Sequence, residues 1–101
     1  MDEITKIYRE VMGAKKNGYG NDRRRLNRLL KKAGITFECK QLYDGYQWTF
    51  PNSAYPDGDA IIHSGSYGHM YGYFETMGIG PEDDCVERTA KELIELLLPQ
   101  E

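Results

Sequence analysis

The spacing of apolar residues changes at Gly34, and no other feature of the chain constrains its fold as strongly. Before Gly34 apolar residues recur at helical spacing, whereas after it they alternate with polar ones. A period near 3.6 residues predicts helices with one buried face, and a period of two predicts half-buried strands. The length of 101 residues suits one core. We therefore predict a single α+β domain over residues 1–101, with helices packed on a small antiparallel sheet.

The helical pattern predicts a hairpin at the N-terminus. Its first helix, over 2–15, carries an apolar face that consists of Ile4, Ile7, Tyr8, Val11 and Met12. Its second helix, over 22–33, begins at a cap supplied by Asn21 or Asp22, and Gly34 gives it a left-handed stop. The turn between the two helices is short and rich in glycine, which favours an antiparallel pair.

Two residues are candidates for the start of the last predicted helix. Pro81 is one of them, because proline suits the first helical position and carboxylates follow it here. Thr89 is the other, since Thr89 and Glu92 have the spacing of a capping box. We favour a helix over 89–98 that begins at Thr89, with residues 81–86 as a looser turn.

Three strands are predicted after the change of period, over 35–43, 46–50 and 59–63. Between the first two, Asp44-Gly45 predicts a type I′ turn, which needs positive φ at both central residues. The glycine- and tyrosine-rich segment 64–80 is interpreted as an ordered loop. Residues 71–75 within it are a candidate fourth strand at the edge of the sheet.

Charge divides the chain into a basic part and an acidic part. Residues 1–40 hold eleven Lys or Arg against five Asp or Glu, a balance of +6. Residues 41–101 hold two Lys or Arg against eleven Asp or Glu, a balance of −9, and the two balances sum to the net charge of −3. Such asymmetry indicates a charged partner, unless the two parts neutralise each other across the fold.

Composition excludes several classes of protein. The longest apolar run, residues 93–98, is far too short to span a bilayer, and the N-terminus resembles no secretory leader. We therefore expect a cytoplasmic protein without a membrane partner. Its two cysteines, Cys39 and Cys85, are too few for a disulfide framework, so we expect free thiols. The sequence contains no cofactor motif, so no cofactor is expected, and it leaves the oligomeric state open.

Two charged surfaces are candidates for binding a partner, and plain solubility is the competing explanation for both. Spaced carboxylates can imitate a phosphate backbone, and tyrosines supply rigid contact area. For contact with a protein we select Asp57, Asp59, Tyr67, Tyr71, Glu75, Asp83 and Asp84. The alternative is a nucleic-acid or nucleotide site on the basic second helix, which consists of Arg24, Arg25, Arg28, Lys31 and Lys32.

Catalysis is a third class of function, centred on the two histidines. His63 and His69 lie six residues apart beside aspartates and hydroxyl side chains, as in a small metal-dependent hydrolase. Their spacing matches no ligand signature and the chain has no nucleophile elbow. We therefore assign no catalytic or metal-binding residue and predict that the protein is not an enzyme. The α-β-β-β-α order is that of double-stranded-RNA-binding domains, but the acidic last helix contradicts that assignment.

Four short motifs carry a resemblance to known proteins: YDGYQWTFP at 43–51, DGD at 57–59, HSGSYG at 63–68 and ETMG at 75–78. In these motifs the chain resembles small uncharacterised proteins of phages and prophages of gut Firmicutes. Its size, acidity and plan of helices and strands are similar to those of several anti-CRISPR inhibitors. The resemblance implies a mobile-element origin and interference with a host defence protein, such as a nucleic-acid-handling enzyme. It transfers no functional residue. The expected function is non-enzymatic inhibition through an acidic, tyrosine-rich surface.

Overall fold

The fold consists of two helices and a five-stranded sheet in the part of the chain that the computed structural model describes, residues 18–81 and 84–99. The helices are α1 (Gly20–Lys32) and α2 (Ala90–Leu97). Between them lie a 3₁₀ turn at His69–Tyr71 and the strands β1 (Glu38–Leu42), β2 (Gly45–Thr49), β3 (Asp59–Ile62), β4 (Phe74–Met77) and β5 (Val86–Arg88). The α+β class is confirmed, whereas the predicted helix over 2–15, and with it the hairpin, lies outside the described residues.

The sheet is an antiparallel meander of order β1-β2-β3-β4-β5, in which each strand pairs with its neighbours in sequence. The prediction of three strands, with a fourth over 71–75 at the edge, is wrong in two respects. Strand β4 begins at Phe74 and is an interior strand, because it pairs with β3 on one side and β5 on the other, and its residues Phe74 and Thr76 are buried on one face. Strand β5 was not predicted: it begins at Val86, the last residue of the segment 81–86 that was expected to be a looser turn, and ends at Arg88.

Helix α1 ends as predicted but begins differently. Gly34 has a φ of 73°, and its N–H donates to the carbonyl of Lys31 while the N–H of Ile35 donates to that of Leu30. These two bonds form a Schellman motif, for which glycine is the favoured residue. The start lies at Gly20, and no side chain in the described structure caps it. Asp22 instead lies buried in the first turn, where a carboxylate is favoured by the helix dipole.

Helix α2 confirms the capping-box prediction. The Thr89 hydroxyl accepts from the N–H of Glu92 at 3.1 Å, and the Glu92 carboxylate accepts from the N–H of Thr89 at 2.9 Å. These hydrogen bonds hold the pKa of Glu92 below its ordinary value, because they favour the charged carboxylate. Neither α-helix is long: α1 has 13 residues and α2 has eight. Within residues 18–81 and 84–99 no helix has the length and apolar character needed to cross a membrane.

The turn between β1 and β2 differs from the predicted type I′ turn at Asp44-Gly45. Leu42 pairs with Gly45, so the two turn residues are Tyr43 and Asp44. Among the described non-glycine residues only Tyr43 has positive φ, at 54°. Gly45 is the first residue of β2, where a Cβ atom would overlap the carbonyl oxygen of Ile62. The glycine is therefore required by the close approach of β3 and not by the turn.

Both helices pack on the same face of the sheet. The core combines Leu26 and Leu30 of α1 with Leu93 and Leu97 of α2, together with the sheet residues Trp48, Phe50, Ala60, Ile62 and Phe74. The indole N–H of Trp48 donates to the Asn27 side chain of α1 at 2.7 Å. The sheet therefore has one covered face and one face that neither described helix covers.

Candidate functional site

The open face of the sheet, which lies opposite the helices, is the strongest candidate for a binding site. Strand register places Gln47, Ile61, Glu75 and Glu87 in one row across β2 to β5. A neighbouring row pairs Asp59 with the exposed Met77. None of these side chains is buried. We define the open face by six residues: Gln47, Asp59, Ile61, Glu75, Met77 and Glu87.

Two carboxylates of the open face are placed against each other. Glu75 of β4 and Glu87 of β5 are direct cross-strand partners, and such partners have Cβ atoms about 4.5–5.5 Å apart. Like charges in this position destabilise a sheet. Among the described residues no Lys or Arg forms an ion pair with Glu75, Glu87 or Asp59. The repulsion is therefore not compensated by a local cation.

The thiol of Cys85 is affected by the negative field at this site. Its pKa is raised, first because the thiol is hydrogen-bonded to the Glu75 side chain, and also because the charges of Glu75, Asp59 and Asp84 oppose a thiolate. Cys85 is exposed and is a free thiol, as is the half-buried Cys39. The charge of Asp84, the preceding residue, thus acts on the same thiol as the carboxylates of the open face.

Local hydrogen bonds fix some of these side chains in place. The Gln47 amide donates to the Asp59 carboxylate at 2.7 Å, which orients that carboxylate on the open face. The backbone N–H of Tyr67 donates to the Glu75 carboxylate at 3.4 Å. The Tyr67 side chain itself is 66% exposed. An aromatic ring with this exposure at the rim of a charged surface is available for contact with a partner.

The seven residues that were selected from the sequence as a protein-binding surface do not all lie together in the structure. It brings together three of them, which are Asp59, Tyr67 and Glu75, whereas Asp84 is exposed beside Cys85 and acts on that thiol through its charge. Asp57 is exposed in the loop before β3, and Asp83 lies outside the described residues. Tyr71 is also exposed, but it lines a hollow with Leu29 and Lys91 on the side of the helices.

Glu87 is a central residue of the open face that the selection missed. It belongs to the run of acidic residues after Pro81, but nothing in that run indicates a strand. Strand β5 contains only three residues, which is too short for an alternating pattern to be recognised. Only the register of β4 and β5 shows that Glu87 opposes Glu75.

The two histidines hold the loop that follows β3. The ring of His63 accepts from the N–H of Gly65 at 2.9 Å, while its backbone N–H donates to the Ser66 hydroxyl at 3.0 Å. His69 is buried, and its Nδ1 lies 2.8 Å from the Tyr19 hydroxyl. The histidines thus have separate partners. In the described part of the chain no group of three or more His, Cys, Asp or Glu is placed to hold a metal ion.

Asp44 fastens the start of the same loop to the β1–β2 turn. Its carboxylate accepts from the N–H of Ser64 at 2.9 Å. Partial burial raises the pKa of Asp44, but the hydrogen bonds from Ser64 outweigh this effect, so that the pKa lies below its ordinary value. The ring of His63 adds an edge contact with Tyr43, with centroids 5.2 Å apart.

The basic residues selected on the second helix also separate into two groups. Arg25 points towards the fold: its guanidinium lies 3.5 Å from Asp22, donates to the carbonyl of Gly72 at 2.9 Å and lies 5.9 Å from the centre of the Phe74 ring. Lys32 lines a hollow between α1 and α2. Neither residue lies with the other three.

The remaining basic residues of α1 line a groove. Arg24, Arg28 and Lys31 surround a space of about 380 Å³ together with two residues outside the selection, Arg23 and Asn27. We call this space the basic groove and define it by these five residues. The sequence contained a signal for the two additional residues, because Arg23, Asn27 and Lys31 are spaced i, i+4, i+8 along one side of the helix.

Comparison with known proteins identified no relative, since no protein-family model, no curated protein and no solved structure matches the chain. The geometry of the open face and of the basic groove is therefore the basis for the functional proposals.

Proposed function

We propose that the protein is a non-enzymatic binding protein of a phage or another mobile element, which inhibits a bacterial defence protein in the host cytoplasm. The open face docks on a basic, nucleic-acid-binding surface of that defence protein. One observation carries the proposal: Glu75 and Glu87 oppose each other beside Asp59, with no ion-pair partner among the described residues.

Opposed carboxylates are difficult to explain by solubility alone. A surface that serves only solubility interleaves charges of both signs, because this avoids local repulsion. Glu75 and Glu87 instead are direct cross-strand neighbours, a position in which Cβ atoms typically lie about 5 Å apart, and Asp84 adds a further negative charge beside Cys85. A rigid array of this kind resembles a phosphate backbone to a basic surface, and it attracts such a surface over a long range.

The open face also contains the apolar contacts that an interface needs. Ile61 lies between Gln47 and Glu75 in the central row, and Met77 is 53% exposed beside Asp59. Stable interfaces combine such an apolar centre with a polar rim, and aromatic residues are enriched in them. Tyr67 supplies an aromatic ring at the rim. The surface is thus suited to a protein partner and not merely to diffuse ionic attraction.

Capture from a host lysate followed by competition tests the proposal. The protein is immobilised and exposed to a lysate of a Firmicutes strain with active CRISPR immunity, and bound proteins are identified by mass spectrometry. We expect the wild-type protein to retain a nucleic-acid-binding defence protein that the E75K/E87K variant does not retain. Duplex DNA should then compete with the protein for the purified partner, and association should slow as salt is added.

Glu38→Lys is the matched control for this charge reversal. Glu38 points to the same face of the sheet but lies at the far edge, in β1 opposite Thr49. We expect E38K to retain the partner almost as well as the wild type. The proposal is wrong if E75K/E87K binds as tightly as E38K, or if the partner binds duplex DNA and the protein at the same time.

A further inference from the structure

The basic groove presents cationic groups along one side of α1. Arg24, Arg28 and Lys31 follow each other at i, i+4 and i+7, which spans about 10 Å of helix. Arg23 and Asn27 form the adjoining row and complete the lining. The groove lies on the helical side of the molecule, so the sheet separates it from the open face.

Two of the four cations, Arg28 and Lys31, have no ion-pair partner among the described residues. Arg24 donates to its neighbour Asn21. The Nε of Arg23 is excluded from solvent and has no hydrogen-bond acceptor among the described residues. Buried donors without an acceptor are rare in folded proteins, and each requires an explanation.

An aromatic ring lies at one end of the groove. The Arg23 guanidinium lies 5.0 Å from the centre of the Tyr46 ring. Gly18, just before α1, lies against the carbonyl of Asp44 in the β1–β2 turn. The other residue of that turn, Tyr43, is 79% exposed and contacts His63 by its edge. The half-buried Tyr46 ring thus adjoins the row of cations, and cations beside an aromatic ring are the combination with which proteins bind unpaired bases and their phosphates.

We propose that the basic groove binds the backbone of a single-stranded nucleic acid, which runs along the cations of α1 towards the Tyr46 ring beside Arg23. Guanidinium and ammonium groups are strong donors to phosphate oxygens, and Arg is especially suited to them. The lining residues all belong to α1, and the row of cations is about 10 Å long. A flexible strand can follow it and approach Arg23, whereas the surface of a duplex would contact only its outer cations. The site is separate from the open face and does not require the proposed function.

Fluorescence anisotropy with a labelled twelve-nucleotide oligo(U) at low salt tests this site. Each phosphate contact on a single strand contributes about −0.7 to the slope of log K against log salt, so three or four contacts predict a slope of about −2 to −3. We expect Arg28→Glu to weaken binding by about tenfold or more and to make the slope shallower by about 0.7.

Lys32→Glu is the matched control, because it makes the same charge change four residues away on the same helix but outside the groove. We expect it to weaken binding by less than about threefold, through the long-range field alone. Both side chains are exposed, so circular dichroism should show both variants folded. Equal losses in R28E and K32E would show diffuse attraction and overturn the proposal, as would the absence of binding in the wild type.

A second measurement locates the bound strand. Asn27 is hydrogen-bonded to the Cys39 thiol, and Arg23 also acts on it, so oligo(U) should slow alkylation of Cys39 but not of Cys85. Tighter binding of a duplex, or of poly-glutamate, would overturn the assignment to a single strand and point to duplex nucleic acid or an acidic protein. E75K/E87K should bind oligo(U) at least as well as the wild type, which distinguishes failure of this site from failure of the open face.

Discussion

The two faces of the sheet differ in whether their polar side chains have bonding partners. On the covered face three polar side chains of the sheet have partners: Arg88 donates to the Thr76 hydroxyl at 3.1 Å and to the carbonyl of Ile79 at 3.2 Å, and Trp48 donates to Asn27. On the open face Glu75 opposes Glu87 without an ion-pair partner among the described residues. The same strands therefore carry a satisfied face and a repulsive one.

This contrast indicates that stability and binding are assigned to different faces. Sequences whose local choices agree with the fold give stable proteins, and departures from this rule concentrate at functional sites. Arg88, Thr76 and Trp48 on the covered face show no such departure, whereas the open face has two like charges in register. Substitutions on the covered face should therefore change stability, and substitutions on the open face should change binding while leaving the fold intact or more stable.

The largest expected effect is that of Trp48→Ala on the covered face. Trp48 is fully buried against Phe74, with ring centroids 5.3 Å apart, and its indole N–H satisfies Asn27. Removing the ring creates a cavity and leaves Asn27 without this donor, so we expect the free energy of unfolding to fall by about 3–5 kcal/mol. Urea denaturation followed by circular dichroism measures the change.

Met77→Ala is the control on the open face. Met77 belongs to β4, the same strand as Phe74, but it is 53% exposed. Substitutions at exposed positions of this kind usually change the free energy of unfolding by no more than about 0.5 kcal/mol. A loss in M77A comparable to that in W48A would mean that the open face is covered in solution, which would contradict the assignment of binding to it.

The next largest effect concerns α2, which packs on the covered face of the sheet. Thr89→Ala removes the hydroxyl that accepts from the N–H of Glu92, and loss of such a cap costs about 1 kcal/mol. In a domain of this size that change lowers the melting temperature by roughly 4–8 °C. Thermal unfolding measures it. Thr89→Ser keeps the hydroxyl and should retain most of the stability, so an equal loss in T89S would refute the role of the cap.

The same cap predicts a pH dependence with a definite sign. Because the folded state lowers the pKa of Glu92 below its ordinary value of 4.5, the stabilisation is fully present above 4.5. It is lost as pH falls through the lowered pKa, when the carboxylate takes up a proton. Glu92→Gln does not titrate, so the stability difference between wild type and E92Q should shrink from pH 6 to pH 3. A constant difference would contradict this cause.

The elements that the sequence predicted are those with local signals. The capping box of Thr89 and the glycine stop at Gly34 both depend on contacts within a few residues, and the structure contains both. Strand β5 has only three residues and follows an acidic run, so its pairing with β4 is decided by tertiary contacts. Gly45 was assigned to a turn because its true constraint, the approach of Ile62, is not local.

The candidate site was predictable in composition but not in geometry. An acidic region with Tyr67 could be selected from residue types, whereas the opposition of Glu75 and Glu87 requires a strand register that no residue type encodes. Likewise the helical spacing indicated a basic side of α1. It did not show that Arg25 turns inward to Gly72 or that Arg23 lies over the Tyr46 ring.

A smaller effect with the opposite sign is expected on the open face. Glu87→Gln removes one of two opposed like charges, so it should stabilise the fold, by about 0.2–1 kcal/mol at low salt. The gain should diminish as salt is added, because salt screens exposed charges. Urea denaturation at two salt concentrations measures both. Glu38→Gln is the control, since Glu38 opposes Thr49 and not a carboxylate. Destabilisation in E87Q would mean that Glu87 has a structural partner.

The smallest expected effect is a change in the reactivity of the Cys85 thiol. Measuring it tests the negative electrostatic field that the carboxylates of the open face produce. Because the pKa of Cys85 is raised chiefly by its hydrogen bond to Glu75, less thiolate is present at pH 8 than for an ordinary cysteine, and iodoacetamide should react slowly. Glu75→Gln removes the carboxylate charge, so the pKa should fall and the reaction should accelerate. Iodoacetamide is neutral, so the carboxylates do not repel it, and a change in its rate of reaction reflects a change in the pKa of the thiol.

The Cys39 thiol of the same molecule is the control. Burial is the main cause of its raised pKa, so its rate of alkylation should not change in E75Q. If both thiols accelerated together, the cause would be loosening of the fold and not the field of the opposed carboxylates.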